Sequence, residues 1–153
     1  MKKYKFSLDQ VLEIRQNIET QRQGEFVQAM RVVDENTDIL TGIEEDQQSF
    51  LERYHTHQQA GLQPNECIQY HQYFHALEVS IDRQNENIEL LKEEAEEKRE
   101  RLEEALRDKL VIEELKKENL RNFQKKLAKT EQMFIDDMST ITYNYRSKSG
   151  FGS

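Results

Sequence analysis

The chain has 153 residues, of which 35% are hydrophobic and 34% charged, and its formal net charge is -8. An ordinary globular domain is about 45–50% apolar and about 25% charged, so a Rossmann domain, a barrel or a sandwich finds too little apolar mass here. The acidic balance disfavours nucleic acid as the main partner, because phosphate binding draws on a basic excess.

No run of about 20 apolar residues offers a membrane span. The opening Met1-Lys2-Lys3-Tyr4-Lys5-Phe6-Ser7 is basic but has no apolar stretch behind it, so it does not read as a secretory signal. A single cysteine suits a reducing compartment, and the expected location is cytoplasmic. Low hydrophobicity with many charges also permits disorder, and periodicity decides between the two.

Near the N-terminus, Leu8, Val11, Ile14 and Ile18 fall on one helical face. A regular seam then begins: Phe26, Ala29, Val33, Asn36, Leu40, Ile43, Gln47, Phe50 and Tyr54 follow one another at alternating steps of three and four. That is the heptad of a left-handed coiled coil. The one strong turn signal follows, Ala60-Gly61-Leu62-Gln63-Pro64-Asn65. Gly61 suits the residue just past a helix end, and Pro64 the first turn of the next helix. Glu66 then sits where the helix dipole favours an anion.

From Asn65 to Ser149 there is neither glycine nor proline. The seam resumes at Cys67, Tyr70, Phe74, Leu77, Ile81, Gln84, Ile88, Leu91, Ala95, Lys98, Leu102, Ala105, Lys109 and Ile112, again at steps of three and four. Beyond Ile112 it shifts to Leu120, Phe123, Leu127, Phe134, Met138, Ile141 and Tyr145, which marks a stutter in the supercoil. The expected fold is all-α, a long antiparallel two-helix coiled coil forming one domain over residues 1–145. Its helices cover about 8–57 and about 65–145, joined by a tight turn over 58–64, and residues 146–153 form a flexible tail. At about 1.5 Å per residue the helices would be roughly 75 and 120 Å long. With lengths so unequal, the second helix overhangs, breaks, or is covered by another chain.

Residues 92–131 hold twelve basic and twelve acidic side chains. Acid-then-base pairs four apart, such as Glu97 with Arg101 and Glu113 with Lys117, support an exposed helix face. Lys98 and Lys109 fall on the seam itself, which weakens packing there.

Catalysis has no motif to rest on: no GxxxxGK phosphate loop and no GxSxG elbow is present. No enzyme activity and no cofactor are expected. The four histidines, His55, His57, His71 and His75, gather about the turn, and Cys67, His71 and His75 share a helix face at spacings that could ligate zinc. No acidic support for such a site is evident, and the simpler reading is of polar residues beside a turn. No metal is expected.

The aromatic residues near the turn say more. Tyr73, Leu77, Ser80 and Gln84 form one stripe, and Ile39, Ile43, Asp46 and Phe50 form another on the first helix. Stripes lying half on the seam and half outside it suggest partner contact.

Three segments together resemble the FliJ family of flagellar export proteins: Tyr4 to Arg15, the tip from Ile68 to Glu78, and the Glu- and Lys-rich run from Glu113 to Tyr145 with its Asp136-Asp137. The resemblance covers essentially the whole chain. It implies an antiparallel coiled coil similar to the stalk of rotary ATPases, one that promotes assembly of the hexameric flagellar export ATPase. It also implies contact with the membrane export gate, handling of export chaperones, and a peripheral place at the cytoplasmic face of the membrane through those partners. The family's tip patch maps onto Ile43, Phe50, Tyr73, Leu77, Ser80 and Gln84, while Asp46 stands where some relatives carry an aromatic. The other classes open to such a sequence are a self-associating coiled-coil scaffold and a general export chaperone.

Overall fold

A computed structural model describes residues 3–150. They form two helices, α1 (Asp9–Ala60) and α2 (Pro64–Ser149), and among the described residues there is no strand. The link between them is shorter than the expected turn, because helical hydrogen bonding continues to Ala60 and restarts at Pro64. Gly61 ends α1 with a φ of 95°, a left-handed conformation that costs glycine little and other residues more. Its N–H returns to the Gln58 carbonyl at 3.3 Å. On the far side, the Gln63 N–H donates to Glu66 Oε2 at 3.3 Å and the Gln63 carbonyl accepts from the Cys67 N–H at 3.1 Å. Gln63 thus stands at the cap of α2, with Glu66 reaching back to it as in a capping box.

The chain divides into two compact units, Asn17–Leu106 and Met1–Gln16 with Arg107–Ser153. In the first, α1 and α2 pair antiparallel: His57 meets Tyr70, and further from the turn Asn36 meets Gln84 and Asn87. Every seam position expected on α1 from Phe26 to Tyr54, and on α2 from Cys67 to Ala105, is buried or half-buried. Val33, Ile88, Ala95 and Ala105 are buried outright. Small alanines at the seam let the helices approach closely, since interaxial distance follows side-chain size.

In the second unit the helices also run antiparallel, with Asp9 beside Lys116, Arg15 beside Asp108, and Tyr4 against Phe123. Phe6 and Leu12 are buried here. Ile14, expected on the inner face, is instead 56% exposed. The seam runs through Leu12 and Arg15, and the guanidinium of Arg15 occupies the inner position by pairing with Asp108 at 3.3 Å. The stutter falls at Ile112, Lys116 and Leu120, half-buried at two successive steps of four. Lys116 fills the shifted position, with its Nζ 2.9 Å from Asp9 Oδ1 and 6.0 Å from the Phe6 ring centre.

The second helix does not break. It runs unbroken for 86 residues, four past the expected end at 145, and the described part of the expected tail is therefore helical to Ser149. Residues 151–153 of that tail lie outside the described residues. From Gln124 to Gly150 every residue is exposed, so the surplus length of α2 is an overhang.

Candidate functional site

The surface that the sequence points to lies beside the turn. Its geometry starts from heptad packing: α1 brings Phe50 and Tyr54 inward, α2 answers with Tyr70 and Phe74, and one side chain on each flank is left at the border with water. Phe50 stacks obliquely on Tyr73, ring centres 4.5 Å apart, and on Tyr70 at 5.2 Å. Tyr73 remains 50% exposed. The guanidinium of Arg53 sits 5.9 Å from the centre of the Phe50 ring, within cation–π range. Ile43 and Leu77 are half-buried and Ser80 is exposed.

Of the six expected contact residues, the structure brings Phe50 and Tyr73 into direct contact. Gln84 is turned inward, its Nε2 donating to the Asn36 carbonyl at 2.8 Å and to Asn36 Oδ1 at 3.1 Å. Ile39, at the start of the α1 stripe, is 53% exposed. Asp46 is exposed as well and interrupts the apolar stripe with a charge.

Tyr54, Tyr70 and His71 pack edge to face, and with Phe50, Leu51 and Phe74 they line an apolar cleft of about 150 Å³. The turn is braced beside it. His57 Nδ1 lies 2.9 Å from the Tyr70 hydroxyl and its Nε2 lies 3.6 Å from Glu66 Oε2. This brace links the last turn of α1 to the first two turns of α2, and the sequence spacing alone gave no sign of it. A signal was present in the clustering of histidines next to a first-turn glutamate.

Among the described residues no group of three or more His, Cys, Asp or Glu side chains could hold a metal ion. His71 spends its ring face on Tyr54, His75 points to Glu78 at 3.9 Å, and Cys67 is half-buried at the seam. What the arrangement offers chemically is apolar and aromatic area with a few charges at its border, which suits protein contact.

A second surface, in the other unit, is the overhang. Leu127, Phe134, Met138, Ile141 and Tyr145 continue the seam beyond Phe123 and are 39–76% exposed. No helix among the described residues is long and apolar enough to cross a membrane.

Elsewhere the surface is threaded by ion pairs along α2. Arg99 bridges Glu96 and Glu103, which raises its own pKa, and its hydrogen bond holds the Glu96 carboxyl below the ordinary value. On α1, a hydrogen bond from Arg22 likewise holds the Glu25 carboxyl below the ordinary value.

Compared with known proteins, the chain matches the family described as Flagellar FliJ protein over residues 4–148. No curated protein and no solved structure matches it.

Proposed function

The chain belongs to the FliJ family and is a component of the flagellar export apparatus, and from that premise we propose that it works there as a non-enzymatic coiled-coil stalk. In this role it promotes assembly of the export ATPase hexamer, couples that ring to the membrane export gate, and escorts export chaperones. It resides in the cytoplasm and reaches the cytoplasmic face of the membrane through these partners.

The observation that carries the reading is the tip, where Tyr73 stands half out of the hairpin while its inner face is stacked on Phe50. An aromatic held rigid on one side and bare on the other loses little conformational entropy on binding, which is the character of an interface anchor. Ile43, Phe50, Leu77, Ser80 and Gln84 frame it as the proposed gate-binding patch. Gln84 contributes through its place on the stripe, since its amide is committed to Asn36.

No catalytic group is asked for. A binder shifts the states of a ring or a gate only by its difference in affinity between them. A helical hairpin that presents separate surfaces to two partners can bias both in this way.

The test is the double variant Tyr73→Ala, Leu77→Ala. The expected result is lost gate binding and reduced swimming, with the circular-dichroism spectrum of a helical protein retained. Wild-type gate binding by a folded double variant would contradict the assignment of this patch.

A further inference from the structure

Charge is divided unevenly along the chain. Residues 34–91 hold twelve acidic side chains and two basic ones, Arg53 and Arg83, a balance of -10 against -8 for the whole protein. The part of the hairpin nearest the turn thus carries more than all of the net charge.

The two flanks of that part differ. Tyr73 and Arg53 each precede a seam residue, Phe74 and Tyr54, whereas Leu51 and His71 each follow one, Phe50 and Tyr70. In an antiparallel pair of heptads such positions lie on opposite flanks. The contacts agree. Arg53 and Tyr73 both meet the Phe50 ring, while Leu51 and His71 border the apolar cleft of about 150 Å³. The cleft therefore opens on the flank away from Tyr73.

Glu44 and Glu78 also follow seam residues, Ile43 and Leu77, and so stand on the flank of the cleft. Each lies seven residues from a cleft residue, Glu44 from Leu51 and Glu78 from His71, which is about 10 Å along a helix. The register that sets Phe50 against Tyr73 and Asn36 against Gln84 brings the two glutamates to one level. Flanking positions of a coiled coil commonly pair acid with base across the helices. Here acid meets acid. Among the described residues, Glu78 has only the His75 ring, at 3.9 Å, and Glu44 has no ion-pair partner. Arg83 falls about 140° around α2 from Glu78 and so serves the other flank.

We propose that this cleft is a docking site for a basic amphipathic helix of a partner protein, whose phenylalanine or leucine enters between Leu51 and His71 and whose Lys or Arg, about two turns along, sits between Glu44 and Glu78. The volume suits one such side chain, since an apolar cavity of this size holds a benzene ring. The carboxylates choose the rest of the occupant: a cation there relieves the meeting of two acids, and the same field repels nucleic acid and anionic lipid. The site lies apart from the Tyr73 patch and is independent of the stalk role, so it is tested without the ATPase or the gate.

The experiment is fluorescence anisotropy of labelled synthetic peptides titrated with the full chain. The probe is a short alanine- and glutamine-based helix with one phenylalanine and, about two turns along the same face, two lysines. Two control peptides carry alanine for the phenylalanine or glutamates for the lysines. Wild type is expected to bind the probe saturably with a Kd of roughly 10–100 μM. Each control is expected to bind about tenfold more weakly. Leu51→Asn, which removes an apolar wall, should weaken the probe by a similar factor while leaving the preference for lysine over glutamate. Glu44→Lys with Glu78→Lys should abolish that preference. Circular dichroism checks that both variants stay helical. Absence of saturable binding to wild type would overturn the proposal. So would equal binding of the alanine peptide, which would mean charge attraction without the cleft, or a lysine preference that survives reversal of both glutamates.

Discussion

Gln84 reaches across from α2 and donates to Asn36 twice, to the backbone carbonyl at 2.8 Å and to the side-chain oxygen at 3.1 Å. Asn87 adds a third hydrogen bond to the same oxygen at 3.1 Å, and the Asn36 amide is anchored on the Val32 carbonyl at 2.8 Å. These residues form a polar layer in a mostly apolar seam. Such a layer fixes the alignment of two helices, because a slip would leave half-buried amides without partners.

The layer makes a prediction with two signs. Asn36→Ala removes the side-chain oxygen that accepts from both Gln84 and Asn87, leaving Gln84 its bond to the backbone carbonyl alone, and is expected to cost about 1 kcal/mol. Asn36→Leu with Gln84→Leu should instead raise the melting temperature and loosen the alignment of the helices. Thermal melts check the first effect. Disulfide trapping between cysteines placed on α1 and α2 checks the second, through a broader set of cross-linked positions.

The glycines give an independent test of the helix assignments. A Cβ at Gly24 or Gly42 would meet nothing within 4 Å, and both lie inside α1. Gly24→Ala and Gly42→Ala are each expected to stabilise by about 0.5–1 kcal/mol. Gly61→Ala is expected to destabilise by about 1 kcal/mol, since alanine resists the left-handed φ of 95° found there. Urea denaturation of the three variants reads the signs directly.

At the tip, Phe50→Ala removes the ring that supports both Tyr70 and Tyr73. A half-buried aromatic loses less than a core one, so a cost of about 2–3 kcal/mol is expected, near the low end for such truncations. Hydrogen exchange should quicken around Phe50, Tyr70 and Tyr73, while Asp9 and Lys116 in the other unit keep their protection.

Charge pairing sets the pH response. Glu96 and Glu25 have pKa values held down by hydrogen bonds from Arg99 and Arg22. Their contribution is present above the ordinary glutamate value of 4.5 and is lost as pH falls through the lowered values. Lys116 is raised by its hydrogen bond to Asp9, so its contribution is present below the ordinary lysine value of 10.5 and is lost as pH climbs through the raised one. All three pairs remain open to solvent, so the slopes are shallow and should flatten further in high salt. Melting temperature against pH, at two salt concentrations, checks both limbs.

Much of the fold was legible because the heptad is a strict code. Steps of three and four from Phe26 to Tyr54 and from Cys67 to Ile112 select positions that are half-buried or buried, including polar ones such as Asn36, Gln84 and Lys98. The pattern works there because two long helices have only one face to share. It weakens toward the N-terminus, where hydrophobicity alone favours Ile14 although Arg15 is the residue turned inward toward Asp108. Phe6 precedes α1, so no period could mark it as buried.

The candidate site was legible in outline. Stripes of Ile43, Phe50, Tyr73 and Leu77 could be read from spacing, but spacing does not say which side chain bonds inside the hairpin. Gln84 shows the difference, lying on the stripe by number while hydrogen-bonding Asn36 by geometry. The brace of His57 with Tyr70 and Glu66 depends on how tightly the turn closes, which no periodicity encodes.

The central claim is that this chain acts by binding and ordering the flagellar export ATPase. The most direct test is the ATP hydrolysis rate of the cognate export ATPase, titrated with this protein while ring formation is followed by sedimentation. The account predicts a saturable rise in rate that tracks the appearance of hexamers. An unchanged rate together with no co-sedimentation would contradict it.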